Sequence, residues 1–212
     1  MNVAGMAAHR DLARTIGPDS WWYPSGHLRW ADDPAAQAKL LKTAALLASW
    51  DYQVEVRTGA EVRRRLEPAL TMPGDVPVVF YPDEAWVHGR HLVGRLVSQA
   101  VTSGAEHRSG TTVCDIGTRA DGSIRTVALS DGSSLDVNTV VNAAGPSASR
   151  VAKLIARHLP MRREPGVVTR IGCAQVPVHR AMHAPHIETR PDGDTGKKDE
   201  VLADFRPERF SP

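Results

Sequence analysis

Two Asp-Gly dipeptides, Asp121-Gly122 and Asp131-Gly132, constrain this chain more than any other feature, because they supply the positive φ angles that tight hairpin turns require. They separate three runs of strand character, 111–116, 123–129 and 134–137, and predict an antiparallel meander. The next run, 139–145, is apolar without alternation, which reads as a strand buried on both faces. It leads into a helix carrying Val151, Ala152, Leu154 and Ile155. Helical periodicity dominates before residue 105 and strands after it, so the expected class is mixed α/β. The 212 residues correspond to one large domain or two small ones at ~150 residues per domain. A hydrophobic share of 42% is enough for a buried core.

The first half alternates short strands with helices. Residues 1–16 are alanine-rich and read as a helix that Gly17 and Pro18 stop. An aromatic run follows, with Trp21, Trp22, Tyr23 and Trp30 set about Pro24 and Gly26, and predicts two short strands around a bend. These aromatic groups read as packing residues. Asp33 before Pro34 predicts a capped helix start, and Leu40, Leu41, Ala44, Leu47 and Ala48 recur at helical spacing behind it. Thr58 with Glu61 makes a capping box for a short helix ending before Pro68, whose basic run 63–65 reads as a solvated face. A strand is expected over 77–81. A two-row apolar stripe over 90–103, closed by Gly104, then predicts another helix. A further strand over 167–173 begins a different region, and beyond Pro191 the polar sequence gives no periodic signal.

Charge and cysteine content narrow the function classes. Lys and Arg number 26 against 24 acidic residues, so the net charge of +2 provides no strong field for nucleic acid or anionic lipid. Partners must be recognised at local sites. Cys114 and Cys173 stand in no CxxC pair and no metal-ligand spacing, which makes a reducing, cytoplasmic setting the default. The longest nearly apolar stretch, 43–50, is far shorter than the ~20 residues of a membrane helix. The opening residues lack a basic start followed by an apolar run, so the chain reads as soluble and without a secretory leader.

The sharpest local feature is 140–147, a strand end of small residues before a helix. Small side chains admit a flat ring or phosphate to the backbone, and a helix start offers unpaired N–H groups. A plain packing turn accounts for the same pattern. His179, His183 and His186, or His88 with His91, invite comparison with metal faces, but prolines interrupt the first group and no acidic or thiol ligand joins either. No metal is expected. No arrangement of nucleophile, base and orienting group is present, and the catalytic residues stay unassigned.

In co-linear order, the runs 25–30, 65–70, 81–87, the helix ending at Gly104-Ala105, 112–116, the Asp-Gly meander and 140–145 resemble the FAD-dependent amine oxidoreductases of the D-amino-acid oxidase superfamily, especially its glycine oxidase and sarcosine oxidase branch. The likeness runs roughly from residue 18 to 193. It implies a partial FAD-binding three-layer core with a β-meander, joined to an antiparallel substrate-binding lobe. The implied division is 1–18 as a helix remnant of the FAD domain, 19–88 and 161–193 as the substrate lobe, 89–160 as the FAD-binding core, and 194–212 as an irregular tail. The resemblance places the Val113 backbone against adenine, and Ala143, Ala144, Gly145 and Pro146 beside the flavin. For an amino-acid substrate it implies a cation for the carboxylate. Arg190 before an Asp/Gly turn is the candidate, with His88 beside Trp86 as a second substrate-facing residue.

The departures from the family pattern are specific. The chain contains no GxGxxG turn, the principal dinucleotide cradle, and no glycine-rich closing segment after Gly193. It therefore reads as the central fragment of a longer oxidoreductase, in which FAD binding depends on the missing first unit. Two functions stay open: an FAD-dependent oxidoreductase that oxidises an amino acid or secondary amine by hydride transfer, or a noncatalytic remnant or binding module on the same scaffold without cofactor.

Overall fold

In the computed structural model, residues 3–161, 167–172, 178–185, 187–191 and 200–205 are described. The chain is α/β and divides into two compact units, one formed by 1–104 with 166–212 and the other by 105–165.

The first unit begins with α1 (Val3–Ile16), which Gly17 ends at φ +82°. The aromatic run forms β1 (Trp22–Tyr23) and β2 (His27–Trp30) around a bend. Next comes α2 (Pro34–Ala48), started as the sequence predicts: the Asp33 side chain accepts from the Ala36 N–H at 2.8 Å, with proline in the first turn. β3 (Glu55–Thr58) leads into α3 (Gly59–Arg65), which carries the complete Thr58/Glu61 capping box and an exposed basic run. β4 (Pro77–Tyr81), β5 (Trp86–Val87) and α4 (Gly89–Thr102) follow. Gly104 lies just past α4 at φ +93°. The apolar stripe of α4 buries no residue within the chain; Arg95 Nε donates to the Ile16 carbonyl of α1 at 2.9 Å.

The second unit is the predicted meander, β6 (Val113–Thr118), β7 (Ile124–Leu129) and β8 (Ser134–Asp136), paired antiparallel in that order. Gly122 and Gly132 sit at φ +81° and +84° in its turns. A single 3-10 turn (Gly145–Ser147) and α5 (Ala148–Lys153) close the unit. One expectation fails here. Residues 139–144 form no strand, and Val141 is 85% exposed. An apolar strand needs neighbours to pair its backbone and cover both faces, and among the described residues no strand pairs with this stretch.

The chain then returns to the first unit as β9 (Val167–Gly172), β10 (Ala181–Ala184), β11 (Ile187–Pro191) and β12 (Glu200–Phe205). β12 occupies a stretch that reads in the sequence as an irregular tail. It is held by ladders on both sides, to β11 and to β9. Cys173, His186 and Gly193 lie outside the described residues.

These strands complete a sheet of seven in the order β3-β4-β2-β10-β11-β12-β9. Every pairing is antiparallel except β2 with β10, which is parallel. Successive residues of β4 point to opposite faces, and both faces are covered. Val78 joins Leu28, Val62, Met72, Val76 and Met182 on one side, while Val79 and Tyr81 join Ala44, Leu47 and Tyr52 on the other. Each buried Val, Leu or Met among them contributes roughly 1.5–3 kcal/mol by leaving water. Trp21, fully buried, anchors a third cluster with Ala13 and Ile16 of α1.

Candidate functional site

Alternation along the strands decides what gathers on the α2 side of the sheet. Leu28 and Met182 point into the opposite cluster, so their neighbours His27 and His183 point to the side of Tyr81. In register, His27 opposes Tyr81 and His183 opposes Glu188. Arg190, two positions beyond Glu188, shares that face. The turn after β4 adds Glu84, fixed because the Gly26 N–H donates to the Glu84 carbonyl at 2.9 Å. A cavity of about 420 Å³ opens here, with His27, Glu84, His183, Glu188 and Arg190 in its wall. Its size lies within the range of small-molecule sites.

Three hydrogen bonds and one close ion-pair contact run along the polar wall. The Tyr52 hydroxyl donates to Glu84 Oε1 at 2.9 Å, and Glu84 Oε2 meets His27 Nδ1 at 2.6 Å. His27 Nε2 meets His183 Nδ1 at 2.8 Å, and His183 Nε2 pairs with Glu188 Oε1. Burial and the adjacent Glu84 carboxylate push the Tyr52 hydroxyl well above its ordinary pKa. Burial also pushes Glu84 up, but the hydrogen bond and charge of His27, the Tyr52 hydroxyl and Arg29 outweigh it and hold the carboxyl below its usual value. Burial and the neighbouring His27 and Arg29 depress His183, against the opposing pull of Glu188.

The structure separates the two substrate residues expected from the sequence. Arg190 lies in the cavity wall, with its guanidinium carbon 5.1 Å from the centre of the Trp86 ring. His88 is 5% exposed and caps α4: its Nδ1 accepts from the His91 N–H at 3.2 Å, and the two imidazoles stack. His88 is not in the cavity wall.

The residues expected at the cofactor fall in the second unit. Val113 borders a hollow of about 280 Å³ together with Arg108, Thr111 and Leu129. Ala143, Ala144, Gly145 and Pro146 are exposed. Gly145 adopts φ +51°, and a Cβ added there would meet nothing within 4 Å. Asn142 shapes this run by accepting from the Ala144 N–H at 3.3 Å and donating to the Ala148 carbonyl at 2.9 Å. The hollow beside Val113 and the exposed backbone of 143–146 leave room for a planar group to approach. The described residues hold no group of three or more His, Cys, Asp or Glu side chains placed for a metal ion, and none of their helices is long and apolar enough to cross a membrane.

Comparison with known proteins agrees with this architecture. The family described as FAD dependent oxidoreductase matches residues 1–199. Glycine oxidase from Bacillus cereus superposes with a TM-score of 0.80 at 20% identity, over 95% of this chain and 55% of that one. L-proline dehydrogenase from P. horikoshii gives 0.78 at 13% identity, over 93% and 53%, and iminodiacetate oxidase from Chelativorans sp. gives 0.77 at 18%, over 96% and 55%. The chain thus spans about half the length of these structures. No curated protein matches it. A family match that runs through both units, together with the shared fold, leads to one conclusion: the chain belongs to the FAD dependent oxidoreductase family.

Proposed function

We propose that this chain supplies the substrate cavity and part of the cofactor site of an enzyme that oxidises an amino acid or secondary amine. The observation that carries the reading is Arg190 in the wall of a cavity of about 420 Å³ that His27, Glu84, His183 and Glu188 also line, together with apolar groups such as Ala181 and Met182. A guanidinium offers two parallel N–H groups to a carboxylate, so Arg190 holds and orients the acid end of the ligand. The Trp86 ring beneath it restricts the guanidinium. Val113, Ala143, Ala144, Gly145 and Pro146 are the residues that would lie against FAD, which when bound supplies the hydride acceptor.

Titration calorimetry with glycine and acetate tests the clamp. Arg190→Ala is expected to weaken both by ~2–5 kcal/mol, the loss typical of leaving a desolvated charge without its partner. Unchanged affinity discards the role of Arg190. The alternative is a binding module on the same scaffold without cofactor. Visible absorption after incubation with FAD and desalting separates the two: retained flavin bands support the oxidoreductase, and a colourless folded protein supports the module.

A further inference from the structure

Glu67 is buried, yet it is not in the cavity wall. Pro68 disfavours helical geometry at the preceding residue, and the chain turns there: the Glu67 N–H donates to the Val62 carbonyl at 2.9 Å and the Leu70 N–H to the Glu67 carbonyl at 3.1 Å. Leu66 and Leu70 pack against the core cluster of Leu28, Val62 and Met182. A carboxylate is costly to keep out of water, and an apolar side chain of similar volume serves stability at least as well in many proteins. What Glu67 adds is directional. Both its oxygens accept from the His179 N–H, at 3.1 and 3.2 Å, and Arg180 Nη1 donates to the Leu66 carbonyl at 2.6 Å and to Glu67 Oε1 at 3.4 Å. The end of α3 thus grips the two residues that precede β10.

The strand held in this way makes the parallel junction of the sheet, with Ala181, Met182 and His183 opposite His27, Leu28 and Arg29. No tight turn links these strands, so loop geometry does not set their register. Packing of Met182 with Leu28 opposes a slip of one residue, which would exchange the faces of β10. A slip of two keeps the faces and carries every β10 side chain along by roughly 6–7 Å. Hydrogen bonds from residues 179 and 180 to fixed acceptors at 66 and 67 resist that slip as well. The cavity straddles the junction. His27 and Glu84 stand on one side, and His183, Glu188 and Arg190 on the other, carried by β10 and by β11, which pairs with it. Across the junction the centres of the His27 and His183 rings lie 4.9 Å apart.

We propose that Glu67 is a positioning residue: its carboxylate sets the register of β10 on β2 and so fixes where Arg190 and His183 stand relative to Glu84 and His27. It acts through the backbone of β10 and touches no ligand. The effect on ligand binding rests on the reading of Arg190 as the carboxylate clamp; the effect on the two rings does not.

Two variants separate reach from charge. Glu67→Gln keeps an oxygen within reach of the His179 N–H without the charge, and Glu67→Asp keeps the charge but falls short by one methylene. Nuclear Overhauser contacts between the His27 and His183 rings report the register, and calorimetry with acetate reports the site. Glu67→Gln is expected to retain the ring contact and bind acetate within about threefold of the unaltered protein, and Glu67→Asp to lose the contact and bind about tenfold more weakly or worse. Val62→Ala, which thins the buried core beside α3 but leaves the tie, is expected to lower the urea midpoint and keep both readouts. Ring contact kept in Glu67→Asp, lost in Glu67→Gln, or lost equally in Val62→Ala overturns the proposal. Hydrogen exchange on the unaltered protein covers a variant that does not fold. The His179 amide is expected to be protected as strongly as the ladder amides of β10, and exchange at the rate of an open loop overturns the proposal whatever the variants do. If acetate does not bind the unaltered protein, the clamp reading falls, and the ring contact alone decides the role of Glu67.

Discussion

Gly26 shows how much a single residue decides. It sits at φ +79°, and a Cβ there would lie 2.5 Å from Cε2 of the Phe80 ring. Its N–H also holds the Glu84 carbonyl. Gly26→Ala is expected to cost roughly 1–3 kcal/mol through backbone strain and ring displacement, read as a lower urea midpoint. It should also disturb the Glu84–His27 contact. At this scale the sequence is partly legible. The Pro-Ser-Gly run announces a bend, and Arg190 can be singled out by its charge. His27 and His183 cannot be matched from sequence. They stand 156 residues apart, and the spacing of His183 with His179 and His186 gives no pointer to His27. Alternation within β2, β10 and β11 assigns side chains to faces, but only the pairing of the strands brings those faces together.

The helices were the most legible elements, because their ends are written in local chemistry. Asp33 and Pro34 mark the start of α2, and the structure places the Asp33 carboxylate on the Ala36 N–H. Asp33→Ala is expected to lower stability by about 1 kcal/mol, the usual cost of losing a capping side chain. Denaturant titration checks it, and Asp33→Asn, which retains an accepting oxygen, should restore most of the loss. The meander was equally readable from its Asp-Gly turns. Elements that depend on distant partners were not. Residues 139–144 have the composition of a buried strand but no strand beside them, so the backbone stays irregular. Residues 200–205 have only a short apolar centre, yet form β12 because β9 and β11 offer ladders on both sides. Propensity in strands is a weak signal beside pairing.

Over the whole chain, buried ionisable groups set how stability depends on pH. Glu84 and His183 are both held below their ordinary pKa values. The unfolded chain therefore binds more protons than the folded one as acid is added, and stability falls with pH. For His183 the loss begins below about pH 6.5, and for Glu84 below about pH 4.5. Burial acts in the opposite sense on Glu67, 1% exposed, and raises it despite the His179 N–H and the charges of His179 and Arg180. Its contribution is full below its usual pKa and is lost as pH rises through the raised value. The expected outcome is a urea midpoint that declines as pH falls below about 6.5, with a shallower slope in His183→Gln, and a Glu67→Gln variant that loses the gain Glu67 gives on acidification. The parallel junction of β2 with β10 carries a further consequence. Until residues 181–184 have left the ribosome, β2 offers its open hydrogen-bonding side to any passing strand. Synthesis of the intervening meander therefore prolongs the interval in which a newly made chain is exposed to mispairing and most in need of a chaperone.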